Sequence, residues 1–429
     1  MEKLHEHAAG IDIGSRKIYV GLEGKEVVSF ETFTSDFIKA SDYLKEKNIK
    51  TVAMEATGVY WIVLYDILIQ AGFDVWLVDG RQTKQVPGRK TDVKDCQWIQ
   101  QLHSYGLLNR CFVAEGILKE LRSYQRMRED HIRSSAMHIQ HMQKALIEMN
   151  IRLPEVLSQT NGKSGMAIIK AILAGERNAN NLLSLCDTRL QKNKSKEILK
   201  ALEGFYTSQG LFALKQAYQC YLFYQQQITE CDNEISKILI ELNDVDTFDN
   251  SLKRKPIRHH SPNVKHLGSH MIHLFEGKDA TKLSGITDYS WFQLYTEIGA
   301  DLTRWESEKH FISWLGLSPG QNNSGKKKKN VRKGHPKAGQ IFRQIAQSLL
   351  NSKYIALGAF GRRIRARKGP GIAIKATARK LAVQYWRLMV KGLDFVEKGV
   401  EKYEQIILLQ KQNSLKRLAK ELKIELVTQ

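Results

Sequence analysis

Apolar residues in the first hundred positions come in short runs separated by polar breaks, the pattern of strands alternating with helices. Ala8-Ala9-Gly10-Ile11-Asp12-Ile13-Gly14 is one such run, and 17–24 and 27–33 follow it after turn-like breaks, so residues 8 to 33 read as three strands. Spacings of three and four predict a helix over 37–47, and Thr51-Val52-Ala53-Met54 predicts a strand ending at Glu55. Residues 60–71 then read as a helix, 73–78 as a strand and 91–106 as another helix. An opening group of strands that passes into strand–helix alternation indicates an α/β domain with a mixed, partly antiparallel sheet.

From residue 117 to about 150 the pattern is wholly helical, until Pro154 and the Asn161-Gly162 pair interrupt it. A second long helix is predicted from about 195 to 243. Within it Leu211, Leu214, Tyr218, Tyr221, Gln225, Ile228, Asp232, Ile235, Leu239 and Leu242 recur at alternating spacings of three and four. Such an a/d seam predicts a coiled coil, with Gln225 and Asp232 weakening it but able to fix register or oligomer state. Two partners suit the seam: a second copy of the chain, or the 117–150 helix in an intramolecular hairpin. Residues 244–273 are polar, rich in His and Lys, and carry Pro256 and Pro262, which reads as a linker or extended loop. A compact helical domain begins near Leu283, and 401–429 reads as a charged amphipathic helix. The expected layout is an α/β domain over 1–114, a helical coiled-coil region over 115–243, a linker over 244–282, a helical domain over 283–400 and a tail over 401–429.

Composition changes this picture little until charge is considered. A length of 429 residues with 42% hydrophobic content is ordinary for two or three globular domains. No apolar run is long enough to span a bilayer and no signal-peptide core follows residues 1–7, so no membrane partner is expected and the cytoplasm or the chromosome is the expected location. The five cysteines are scattered and never form C-x-x-C, which argues against a disulfide framework or a zinc module. The formal net charge of +21 is concentrated: from Lys309 to Lys391 there are 20 Lys and Arg and no Asp or Glu. A concentrated excess of this kind is the footprint of a polyanion, and nucleic acid fits better than a membrane surface because no amphipathic anchor accompanies it.

Against that background four carboxylates stand out. Asp12 alternates with core residues in the first strand, where a carboxylate is costly unless paired or bound to metal. Glu55 ends the next interior strand, and Asp92 and Asp95, three apart at a helix start, project the same way. Taken singly each has a plain alternative, since a strand Asp is often a turn residue and Asp92 after Thr91 can cap its helix. Gathered at strand ends and a helix N-terminus, hard oxygen ligands suit Mg²⁺ or Mn²⁺, and two such ions assist in-line displacement at a phosphodiester.

Gly10-Ile11-Asp12-Ile13-Gly14, Met54-Glu55-Ala56-Thr57-Gly58-Val59-Tyr60 and Lys90-Thr91-Asp92-Val93-Lys94-Asp95 resemble the RuvC-like DEDD domain of a bacterial insertion-sequence transposase family, whose members are bridge-RNA-guided serine recombinases. Cys96 departs from the pattern, the family having Ala after the last Asp. A second block carries the same resemblance: Leu283-Ser284-Gly285-Ile286-Thr287, Glu297-Ile298-Gly299, the stretch from Phe311 to Pro319, Ser324-Gly325 and Arg379-Lys380-Leu381 are similar to the family's transposase domain. The resemblance implies an RNase H-like (RuvC-like) fold with Asp12, Glu55, Asp92 and Asp95 as metal ligands, and Ser324 as nucleophile for a transient serine–phosphodiester bond. It further implies DNA of the element ends and target as substrate, a structured guide RNA as partner, and a homo-oligomer, dimer or tetramer, in which one chain's Ser324 serves another's carboxylates. Lys326, Lys327, Lys328, Lys329, Arg332, Lys333, Lys337 and Arg343 are expected to bind phosphates, as are Arg362, Arg363, Arg365, Arg367, Lys368, Arg379 and Lys380. Trp305, Trp314 and Trp386 have the helical spacing of core residues rather than of base-stacking ones. Two other readings fit parts of the chain: a RuvC-like, structure-specific endonuclease that uses metal-activated water, and a nucleic-acid-binding protein without catalysis.

Overall fold

In the computed structural model, residues 2–83, 92–243, 260–319, 336–392 and 399–422 are described. The chain forms two compact units, Met1–Val113 and Ala114–Gln429. The first is built on a five-stranded sheet of β1 (Ala8–Ile13), β2 (Lys17–Gly21), β3 (Val27–Glu31), β4 (Thr51–Glu55) and β5 (Asp74–Val78). The strand order is β3-β2-β1-β4-β5; β1 runs antiparallel to β2 and β2 to β3, whereas β1–β4 and β4–β5 are parallel. Three strands joined by tight turns followed by two that need helical crossovers give this mixed sheet, and it fits an RNase H-like domain.

Helices α1 (Thr34–Glu46) and α2 (Trp61–Gln70) make those crossovers. Strand alternation divides the sheet's two faces. Ile11 and Ile13 join Phe37, Leu44, Leu64 and Leu68 in one core, on the side of α1 and α2. The residues between them, Ala8, Gly10 and Asp12, face the other side. A short helix, α3 (Gly80–Thr83), follows β5, and α4 (Asp92–Ser104) covers that second face. Its seat is a glycine step: Gly10 and Gly21 pair across β1 and β2. A Cβ at Gly10 would lie 2.2 Å from the Gln100 backbone nitrogen, and one at Gly21 2.9 Å from the Cys96 carbonyl carbon. Only bare backbone lets the helix come this close.

The second unit starts with α5 (Gly116–Glu148), continues through α6 (Leu153–Val156), α7 (Lys163–Leu173), α8 (Ala179–Ser184) and α9 (Thr188–Leu202), and returns along α10 (Ser208–Leu242). The single helix expected over 195–243 is therefore two. The chain turns at 203–207, where a Cβ on Gly204 would strike Ile151 and the Met149 carbonyl, and Thr207 caps α10 by accepting from the Gly210 amide. The heptad seam is occupied within the chain: α5 and α10 pair antiparallel. The polar seam residues are matched, Gln225 Nε2 donating to Ser135 Oγ at 2.8 Å, and Asp232 accepting from Arg128 Nε at 2.5 Å and from the Asn263 amide at 3.0 Å. Arg128 is only 2% exposed, so this pair is a buried one whose remaining donors reach the His260 carbonyl and Tyr289 hydroxyl.

One end of the hairpin packs with α6–α9 around Met142, Leu146, Ile168, Ile198 and Leu214. The other end, Leu121, Ile235 and Leu239, belongs to the core of the carboxy-terminal helices. These are α11 (Leu267–Leu274), α12 (Asp288–Ile298), α13 (Glu308–Trp314), α14 (Lys337–Leu350), α15 (Ala356–Lys368), α16 (Pro370–Lys391) and α17 (Gly399–Leu422). Helix α11 lies where an extended loop was expected, and its Leu267 and Met271 are buried in this core. Trp305 and Trp386 are core residues there as well, and Trp314 packs on Trp305 at 4.9 Å between ring centroids. No described helix is long and apolar enough to cross a membrane.

Candidate active site

Parallel pairing of β1 and β4 brings Ile11 opposite Met54. Asp12 and Glu55 are the next residues along each strand, at neighbouring carboxyl ends of the sheet and on the face covered by α4. That helix runs antiparallel to the two strands: Gln100 Nε2 donates to the Ala8 carbonyl, and His103 lies 2.8 Å from Thr51 Oγ1 at the start of β4. Its first turns, with Asp95, therefore lie over the strand ends that carry Asp12 and Glu55. Cys96 records the consequence. Burial pushes its thiol up to about 12, with the negative charges of Asp12 and Asp95 adding to the rise. Cys96 is fully buried, and its backbone carbonyl lies against the Gly10 and Gly21 step.

Glu55 has a support that sequence reasoning missed. Thr83 Oγ1 donates to Glu55 Oε2 at 2.7 Å, and Trp98 Nε1 on α4 donates to the Thr83 carbonyl at 3.2 Å. Gly80 leaves the space for the carboxylate, since a Cβ there would come within 2.2 Å of Glu55 Oε1. The one sequence signal was a glycine placed two residues after a strand.

Among the described residues, no group of three or more His, Cys, Asp or Glu side chains is close enough to hold a metal ion. The side chain of Asp92 lies outside the described residues, and so do Ser324, Lys326, Lys327, Lys328, Lys329, Arg332 and Lys333. The carboxylates that are described still fit a divalent cation in their chemistry. Mg²⁺ is held by one or two carboxylates with water and phosphate completing its octahedron, and the absence of a Cβ at Gly80 leaves room for the Glu55 carboxylate.

The remaining basic residues divide by use. Lys337 pairs with Glu129 of α5 at 2.6 Å. Burial raises the Glu129 carboxyl, but hydrogen bonds from Lys337, Gln293 and Gln125 outweigh it and hold the group below the usual range. Arg343 donates to the Gly316 carbonyl at 3.2 Å, and Arg362 donates to the carbonyls of Leu350 and Ser352, closing the end of α14. Arg363 is half-buried and lines a cleft beside α17. Arg365, Arg367, Lys368, Arg379 and Lys380 are exposed, although the Lys380 ammonium also sits 4.0 Å over the Phe360 ring, where burial lowers its pKa. In the Glu297-Ile298-Gly299 motif, Glu297 is 6% exposed and holds Arg126 of α5 by two hydrogen bonds of 2.9 and 2.7 Å. That motif fastens α12 to the hairpin.

Two family models match. Residues 9–151 match a transposase family, the IS110-type DEDD transposases, and residues 279–359 match the transposase IS116/IS110/IS902 family. Together the matches cover just over half of the chain. No curated protein matches it.

Proposed function

The chain belongs to the IS110 family of DEDD transposases, and on that footing we propose that it cuts and rejoins the DNA of its own insertion sequence through a serine–phosphodiester bond made with metal assistance. The observation that carries this reading is that the four carboxylates fall in one matched segment and Ser324 in the other, with Asp12 and Glu55 side by side at the sheet's carboxyl edge. Carboxylates alone would serve a hydrolase; a serine in a separate basic segment favours transfer.

Asp12, Glu55, Asp92 and Asp95 hold the cation in this proposal. Mg²⁺ or Mn²⁺, when bound there, supplies charge stabilisation at a phosphate under attack. Ser324 gives up its hydroxyl proton to solvent, and its Oγ bonds to phosphorus as one phosphorus–sugar oxygen bond breaks. The freed sugar oxygen takes up a proton. Attack by a sugar hydroxyl of a second DNA end reverses these changes, so rejoining needs no ATP. The exposed cations of α15 and α16 hold phosphates and carry no sequence preference. Sequence choice is left to a structured RNA that pairs with donor and target, and chains act together as a homo-oligomer.

Incubation with a supercoiled plasmid bearing the element's ends, with and without Mg²⁺, tests the reading. The parent is expected to form a covalent protein–DNA adduct only with metal. Ser324→Ala is expected to lose the adduct while still binding DNA, and Asp12→Asn to stop strand cleavage. An adduct that persists in Ser324→Ala sinks the nucleophile, and metal-independent cleavage sinks the role of the carboxylates. Cleavage without any adduct would mark hydrolysis instead.

A further inference from the structure

We propose that Thr83 is a positioning residue that fixes the Glu55 carboxylate for divalent-cation binding, and that Trp98 ties it to the helix carrying Asp92 and Asp95. The inference rests on the reading of Glu55 as a cation ligand. Glu55 ends a strand and its side chain has three rotatable bonds, so the strand alone does not decide where its oxygens stand. Among the described residues, two contacts from α3 hold it. On one side the Thr83 hydroxyl donates to Oε2 at 2.7 Å; on the other, Oε1 rests against Gly80, where any Cβ would come within 2.2 Å. The same hydroxyl lies 3.0 Å from the Gly80 carbonyl. It has a single proton, and a charged carboxylate is the stronger acceptor, so Glu55 takes the bond while it is ionised.

Trp98 extends the chain of contacts. Its Nε1 donates to the Thr83 carbonyl at 3.2 Å, and it stands one turn beyond Asp95 on α4. Helix α3 is thus held from α4 and holds Glu55 of β4 in turn. Two elements that each bring carboxylates to the sheet edge are set against one another by Thr83 rather than by the cation. Pre-set ligands bind metal more tightly because less ordering is left to the binding step, and loss of such a partner costs about 10- to 100-fold in metal affinity.

Mn²⁺ binding to the full-length chain without DNA, followed by electron paramagnetic resonance or calorimetry, reads this apart from activity. Thr83→Val keeps shape and removes the donor, and its Kd for Mn²⁺ is expected to rise about 10- to 100-fold. Thr83→Ser restores the donor and is expected to bind within a few-fold of the parent, a rescue that a purely space-filling role would not produce. Gly80→Ala provides a second route, displacing Oε1 while the Thr83 hydroxyl is kept, and is expected to weaken Mn²⁺ binding similarly. Glu55→Gln serves as control. Parent-like Mn²⁺ binding by Thr83→Val beside a weakened Glu55→Gln overturns the positioning role alone. If Glu55→Gln also binds as the parent does, the ligand reading of Glu55 fails and this inference falls with it.

Discussion

His103 is fully buried on α4, with Nε2 2.8 Å from Thr51 Oγ1 and its ring stacked on His5 at 4.6 Å between centroids. Its Nδ1 has no hydrogen-bond partner among the described residues, so a proton added there would gain no acceptor. Burial, and then the neighbouring His5, push its pKa down to about 4, against an ordinary value near 6.5. As pH falls through 6.5 the unfolded chain takes up a proton that the folded chain refuses until about pH 4. The contribution of neutral His103 is therefore complete above pH 6.5 and lost progressively between 6.5 and 4. Between pH 7.5 and 5 the parent should lose about 2 kcal/mol more of this unit's stability than His103→Gln, which has nothing to titrate. Urea unfolding, or exchange protection of the β1 amides, at the two pH values checks it. Equal losses in the two proteins would show that the imidazole is readily protonated in the folded state.

At the scale of elements, the seating of α4 on the Gly10–Gly21 step makes the strongest demand. A Cβ at Gly10 meets backbone, 2.2 Å from the Gln100 nitrogen and 2.3 Å from the Cys96 oxygen, so no side-chain adjustment relieves it. Gly10→Ala is expected to lift α4, cost about 3 kcal/mol and open the buried Cys96 to thiol reagents. Labelling at pH 8 checks this, and a Cys96 that stays unreactive in the variant would mean that the helix is not so closely seated. All five strands and the helices that cover them were readable because period-two and period-3.6 patterns are local. The break at 203–207 was not, since the turn is imposed by Ile151 and Met149, distant in sequence, packing on Gly204. Asp12 and Glu55 were legible as polar residues inside apolar strands. Thr83 and Trp98 were not, because their meaning is a contact with a residue 28 positions away and another 15 positions away. The seam on α10 gave the right packing face, but its partner was fixed by long-range pairs such as Arg128 with Asp232.

For the whole molecule the deciding quantity is where +21 charges are free to act. Binding to DNA releases counterions in proportion to the phosphates neutralised, so the slope of log affinity against log salt counts working cations, about 0.9 for each. Position in sequence does not separate them: Arg343 and Arg362 lie in the same basic stretch as Arg365, yet they donate to backbone carbonyls of their own unit. Arg365, Arg367 and Lys368 are exposed in the last turn of α15. There they also face the negative end of the helix dipole, a role that would show as a few tenths of a kcal/mol of stability and nothing in the salt slope. Replacing all three by Gln is expected to flatten the slope by about one for each phosphate no longer neutralised, with weaker binding to every DNA sequence tried. Arg343→Gln is expected to do the reverse, lowering stability because the Gly316 carbonyl is left without its donor, while leaving the slope as in the parent. DNA titrations across a range of salt concentrations, run alongside thermal unfolding, measure both quantities. A triple variant with the parental slope would assign α15's cations to the helix end rather than to DNA, and would leave the phosphate contacts to the other basic residues, Arg379 and Lys380 on α16 among them.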